Sequence, residues 1–90
     1  MAEEKSIPEE GKLIGEITHY FGKIGVAIIK LSDSVRVGDT IRIAGGEVDF
    51  EQEVDSMEVD HKKVEEAKKG DVIGMKILEK TREGYKVYKL

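Results

Sequence analysis

The sequence predicts an all-β protein: one small closed β-barrel of six or seven strands, carrying a single short helical turn. Three observations lead there. In Val35-Arg36-Val37-Gly38-Asp39-Thr40-Ile41-Arg42-Ile43, the apolar residues Val35, Val37, Ile41 and Ile43 share one parity and Arg36, Thr40 and Arg42 the other. That period of two is the signature of a half-buried strand. The Gly38-Asp39 pair inside it returns as Gly70-Asp71 in Lys69-Gly70-Asp71-Val72-Ile73-Gly74-Met75, again launching an apolar strand. Glycine takes positive φ without steric cost and an aspartate carboxylate accepts backbone N–H groups, so each pair is expected to make a tight turn. Two such devices point to a barrel built from two related halves. Finally, turn signals recur about every 8–12 residues and no long helical period intervenes.

Residues 1–12 hold four Glu, two Lys and the only Pro, and are expected to be a flexible tail before a domain spanning 13–90. Residues 13–20 read as the first strand, with Leu13, Gly15, Ile17 and His19 on one face and Ile14, Glu16, Thr18 and Tyr20 on the other. Phe21-Gly22-Lys23 is a turn. Residues 24–31 are nearly all apolar, as in a strand crossing a barrel core. Ser32-Asp33-Ser34 is a loop delivering the chain to the first Gly-Asp strand, and Ala44-Gly45-Gly46 has the composition of a hairpin turn. Beyond it the inward parity switches between Val54 and Met57, which suggests a β-bulge near Asp55-Ser56. Alternation is lost over 60–69, where Asp60 is placed as the cap of the helical turn and Gly70 as its end. Residues 72–78 form the next strand, and 85–90 a last strand expected to pair back on it. Closing the barrel would remove edges that so many β-branched residues leave prone to aggregation.

Ninety residues make one domain, without cysteine for a disulfide or thiolate site. Charged residues are 38% of the chain and the net charge is −4. No apolar run nears the roughly 18 residues of a membrane span, and the acidic start is no signal peptide, so a cytoplasmic monomer is expected. The charge is unevenly spread: residues 47–60 carry seven acids and no base, whereas residues 61–90 carry nine Lys or Arg against five acids. Both stretches read either as solvated faces of a thin sheet or as a dipolar surface that orients a partner.

No catalytic constellation is visible. His19 and His61 are far apart in sequence and have no carboxylates at ligand spacing, so no metal site is expected. Gly22-Lys23-Ile24-Gly25 lacks the spacing and the Lys-Ser/Thr ending of a phosphate loop, and it opens a strand. The acids of 47–60 alternate along a strand and lack the glycine of a calcium loop. Ser56 has no histidine nearby in sequence. The expectation is a non-enzyme without cofactors.

Four blocks occur in order: Phe21-Gly22-Lys23-Ile24-Gly25-Val26-Ala27; Val35-Arg36-Val37-Gly38-Asp39-Thr40-Ile41-Arg42-Ile43; Val54-Asp55-Ser56-Met57; and Ala67-Lys68-Lys69-Gly70-Asp71-Val72-Ile73-Gly74-Met75. Together they resemble the second domain of translational GTPases, the β-barrel of elongation factor Tu and its relatives, over residues 14–78. In that family the barrel holds the aminoacylated end of tRNA or touches ribosomal RNA. The resemblance matches the family's acidic pocket residue to Glu58 and its pocket strand to residues 16–20, with Thr18 where the family has an aromatic. The same barrel occurs as an accessory domain in collagenase-like peptidases and RNA-modifying proteins. Without a GTP-binding domain, the expectation is a free-standing, elongation factor-like accessory module of translation.

Such a module would bind tRNA or ribosomal RNA, but not DNA, through Lys23, Lys62, Lys63, Lys68 and Lys69. Tyr20 or Phe21 would supply a stacking surface, and Glu58 and His61 complete the expected binding residues. Gly38, Asp39, Gly70 and Asp71 are the structural turns. The alternative is a protein-interaction module docking to a separate GTPase or RNA-modifying enzyme through the barrel rim and the acidic strand.

Overall fold

A computed structural model describes residues 11–46 and 48–90, and in it the two Gly-Asp devices are superposable in their hydrogen bonding. Strand β3 (Val35–Arg36) runs into the first device and β4 (Thr40–Gly45) leaves it; β8 (Glu66–Ala67) and β9 (Val72–Lys76) flank the second. In the first turn the Arg36 amide donates to the Asp39 carboxylate and the Asp39 amide donates back to the Arg36 carbonyl, at 2.9 and 3.1 Å. In the second, the Lys68 amide donates to the Asp71 carboxylate and the Asp71 amide to the Lys68 carbonyl, both at 2.9 Å. The glycine at the third position has φ of 100° at Gly38 and 92° at Gly70, the left-handed geometry a type II turn requires there.

The repeat extends outward from the turns. The Gly38 amide donates to Val54 O and the Val54 amide to Asp39 O; the Gly70 amide donates to Leu31 O and the Leu31 amide to Asp71 O. Val54 follows β5 (Val48–Glu53), and Leu31 ends β2 (Val26–Leu31). The halves are thus β5 with β3–β4 and β2 with β8–β9, and they meet where β3 pairs antiparallel with β8, Val35 opposite Ala67. An added Cβ at Gly38 or Gly70 meets nothing within 4 Å, so the penalty of substitution is conformational. Gly38→Ala and Gly70→Ala should each lower stability by about 1–3 kcal/mol. Urea unfolding checks this, and unchanged midpoints would show that the turns tolerate other geometry.

The remaining strands are β1 (Lys12–Phe21), β6 (Met57–Val59), β7 (Lys62–Val64) and β10 (Lys86–Lys89). Eight strands form one antiparallel sheet in the order β5-β4-β10-β1-β2-β9-β6-β7, and β3-β8 makes a second, two-stranded piece. The long sheet folds over on itself as a small sandwich. Ile17 and Val87 from its middle, Ile41 and Ile43 toward one end and Met57 toward the other all lie in one core with Ile29, Val35 and Ile73. The protein is all-β, as expected, but no ladder closes the sheet: β5 and β7 are its two edges. The closed barrel is therefore corrected to an open, folded-over sheet.

Other expectations also change. The helical turn over 60–69 does not form. Those residues make the β6–β7 hairpin and β8, with Val59 opposite Lys62. Asp60 and His61 close the hairpin at φ of 58° and 68°, the positive pair a two-residue I′ turn demands. The expected bulge at Asp55-Ser56 is a crossover, in which Val54 and Met57 are both buried while the chain passes from the β5 edge to β6 beside β9. The last strand pairs with β1 and β4 rather than with β9. In β1, an irregularity between Leu13 and Gly15 brings Ile14 and Ile17 to the same core despite their opposite parity, and a second between Ile17 and His19 does the same for Tyr20. Residues 1–10 of the expected tail lie outside the described residues, and Lys12 already belongs to β1 opposite Lys89.

The acidic strand β5 alternates as a solvated edge, with Asp49, Glu51 and Glu53 outward and Gln52 buried. Arg42 on β4 holds Asp49 through two hydrogen bonds of 2.7 and 2.5 Å, and this guanidinium keeps the Asp49 carboxyl below its ordinary range. Lys12 and the Ser34 amide do the same for Asp33.

Candidate functional site

The residues expected to bind RNA are dispersed by the fold. Lys62 and Lys63 lie on the edge strand β7, and Lys68 and Lys69 in the second Gly-Asp turn beyond β8. A helical turn would have gathered them at about 1.5 Å per residue, whereas strands spread them at about 3.3 Å per residue. All four are exposed, as is Lys23 in the β1–β2 loop. Tyr20 does not stand free for stacking: it is half-buried against the core and lines a shallow surface depression with Thr81, Arg82 and Glu83.

The pocket strand implied by the family resemblance is also taken up structurally. Glu16 pairs with Lys86 at 2.9 Å, and the Thr18 hydroxyl donates to Ile28 O at 3.3 Å. Between them a depression of about 350 Å³ lies over Gly15 and Leu31. His19 forms an exposed pair with Glu83 at 3.3 Å, and its ring sits 4.5 Å from that of Phe21. Among the described residues, no group of three or more His, Cys, Asp or Glu is arranged to hold a metal ion. Nor is any helix among the described residues long and apolar enough to cross a membrane.

Only Glu58 and His61 of the expected site residues converge on a common feature. They form part of the wall of a groove of about 600 Å³ on the outer face of β2, β9 and β6. The floor is apolar: Phe21, Ile24, Val26 and Ile28 come from the β1–β2 hairpin and Val72 from β9, while Gly74 contributes no side chain. Phe21, Ile24 and Val72 are 44%, 62% and 49% exposed and lie together on this one face. The local sequence explains this. In β2 the residues Ala27, Ile29 and Leu31 fill the core, so Val26 and Ile28 at the other parity must face outward. An unbroken apolar run is therefore apolar on both faces, and one of them is the groove. The run was the available signal, and reading it only as a core-crossing strand missed the outer face.

Glu58 and Asp60 stand at the rim, and among the described residues no Lys or Arg lines the groove. Among the described residues, neither carboxylate has a hydrogen bond or an ion-pair partner. The β6–β7 hairpin places them: Glu58 lies opposite Gly74 of β9, and Asp60 occupies the first position of the I′ turn. The arrangement suits an extended apolar chain, and the lining holds no cation to receive a phosphate.

The comparisons with known proteins give this fold its context. No protein-family model matches the chain. An uncharacterized protease of Methanocaldococcus jannaschii is 42% identical over 78 residues, which cover 86% of this chain. The chain spans only 19% of that relative's length. Among solved structures, the C-terminal domain of a Geobacillus thermoleovorans protein assigned to the U32 peptidases superposes with a TM-score of 0.82 at 17% identity, covering 97% of this chain and 99% of that domain. Its selenomethionine variant gives 0.83 at 17% identity, with 87% and 99% covered. At that identity the likeness is one of fold. These findings overturn the resemblance to elongation factor Tu and, with it, the RNA- or ribosome-associated translation module; docking to a separate GTPase or RNA-modifying enzyme gains no support either. What the chain is similar to is a segment of a protease and a domain found at the end of a peptidase.

Proposed function

We propose that this chain is the accessory domain of a U32 peptidase-like protein, a non-catalytic unit that presents polypeptide to a catalytic region lying elsewhere. One observation carries the reading: a protease is 42% identical over 78 residues that make up only 19% of its length, so the likeness is to a part rather than to a whole enzyme. The fold supports it, because the same architecture stands as the separate C-terminal domain of a protein assigned to the U32 peptidases. The residues agree: among the described residues the one histidine–carboxylate pair, His19 and Glu83, is an exposed surface pair with the imidazole tilted against Phe21. Residues 13–90 form the domain in this reading, and a cytoplasmic setting belongs to the same proposal.

A graft tests it. The matching 78 residues of the Methanocaldococcus jannaschii relative are deleted, or replaced by this chain, and cleavage of a fluorescently labelled denatured protein is followed. Deletion should lower kcat/KM at least about tenfold, equivalent to 1.4 kcal/mol of transition-state stabilisation. The graft should restore most of the loss, and this chain alone should cleave nothing. A folded deletion variant as active as the whole relative would overturn the reading, as would hydrolysis by the isolated chain.

A further inference from the structure

We infer that the groove over β2, β9 and β6 is a docking site for an extended polypeptide segment that carries aliphatic side chains and a Lys or Arg. The inference takes the accessory-domain reading as its setting and names what the domain would hold. Three features converge on this occupant. The floor is a strip of Phe21, Ile24, Val26, Ile28 and Val72, with Gly74 lowering its centre, and its volume of about 600 Å³ accommodates a few side chains of an extended chain. Three adjacent strands hold most of these residues, since Phe21 of β1 pairs with Val26 of β2 and Ile28 of β2 with Gly74 of β9, and Ile24 stands in the short loop between β1 and β2. The surface is therefore preformed rather than assembled on binding.

Charge selects among apolar partners. Glu58 and Asp60 lie in the groove wall with no partner among the described residues, so a cationic side chain reaching the rim gains two carboxylates without displacing an existing ion pair. Lys30, Lys63 and Lys76 stand on neighbouring strand positions, opposite Val72, Glu58 and Val26, but none lines the groove. They frame it and would discourage a second cation outside the rim. Inside this frame the lining offers apolar side chains and two carboxylates but no cation for a phosphate, which is why the occupant is a polypeptide and not a nucleic acid.

The test uses the 90-residue chain with two probe peptides, acetyl-Leu-Lys-Val-Arg-Leu-amide and its counterpart with Glu in place of Lys and Arg. Amide shifts are followed by NMR during titration. The cationic peptide should shift residues 21–28, 58–61 and 72–74 and bind several-fold more tightly than the acidic one, with the difference shrinking as salt rises. Ile24→Ser, in an exposed loop where it does not threaten the fold, should weaken the cationic peptide about tenfold by removing apolar contact. Glu58→Gln with Asp60→Asn should erase the preference between the peptides, the Asn being tolerated at positive φ. No shifts at millimolar peptide, shifts confined to another face, equal affinity for the two peptides, or self-association through the groove would each overturn the inference. No peptidase is present, so a negative result here leaves the graft experiment standing, and failure of the graft leaves this binding measurable.

Discussion

Gly15→Val is expected to destabilise the protein by about 3 kcal/mol, because the new side chain must displace backbone as well as neighbouring methyls. Gly15 lies in β1 between two partners, opposite Leu31 of β2 and Val87 of β10. A Cβ built there falls 2.8 Å from the Ile29 Cγ2 methyl and 2.9 Å from the Lys30 carbonyl oxygen. The methyl belongs to a fully buried side chain and the carbonyl to the ladder itself, so neither moves without cost elsewhere. For a domain of this size the loss corresponds to a fall in Tm of roughly 12–24 °C. Gly74 supplies the control. Its Cβ would sit 3.6 Å from Ile28 Cδ1, an ordinary contact, in extended backbone. Gly74→Ala should therefore be neutral or stabilise slightly, by up to about 1 kcal/mol through the unfolded chain. Calorimetry of the two variants decides the matter; equal melting temperatures would mean that the close approach at Gly15 relaxes freely.

The pair also shows what a sequence can and cannot tell. Gly38 and Gly70 are legible because their neighbours repeat: the aspartate that follows each one closes the turn with its carboxylate, and the same chemistry stands twice in one chain. Gly15 has no such companion. Its need for a missing Cβ arises from β2 lying across it, a contact made by residues fourteen and fifteen positions away. The segment around 60–69 fails for another reason. Strands β6, β7 and β8 are two or three residues long, too short for a period of two to register, and their turn uses Asp60-His61 in place of the Asn-Gly that would announce it.

The family resemblance fails in an instructive way. Its blocks are the glycine turn after β1, the two Gly-Asp devices and the β5–β6 crossover, all of which report backbone geometry. Any sheet built from two such halves needs those residues, whatever it binds, so the blocks describe the fold and carry little about ligands. The groove is the converse case. Its apolar floor was present in the run from Ile24 to Ile29, but only the burial of Ala27, Ile29 and Leu31 on one side shows that Val26 and Ile28 face outward into the groove.

Gln52→Leu should cost about 2–4 kcal/mol, although leucine is the more natural tenant of a buried site. The side chain is only 9% exposed, at the inner face of edge strand β5. Its Nε2 donates to Lys76 O at 3.0 Å and its Oε1 accepts from the Leu78 amide at 2.8 Å. In the order of the sheet, β5 and β9 are five places apart, so this one amide ties together parts of the sheet that no backbone ladder joins. Gln52 thus performs the closure that a barrel would achieve with a strand pair, and it does so because a glutamine amide offers one donor and one acceptor as a peptide group does. Leucine fills the space but leaves the Lys76 carbonyl and the Leu78 amide without their partner, and each partly buried group then loses its hydrogen bond at about 1–2 kcal/mol. Glutamate keeps the acceptor for Leu78 and loses the donor for Lys76, so it should restore part of the amide's protection while remaining destabilised by its own burial. The readout is urea unfolding together with hydrogen exchange at the Leu78 amide, which should accelerate in Gln52→Leu well beyond the change seen at Ile29. A Gln52→Leu variant with native stability and a protected Leu78 amide would show that apolar packing and the β3–β8 pair hold β5 against the end of β9 without this amide.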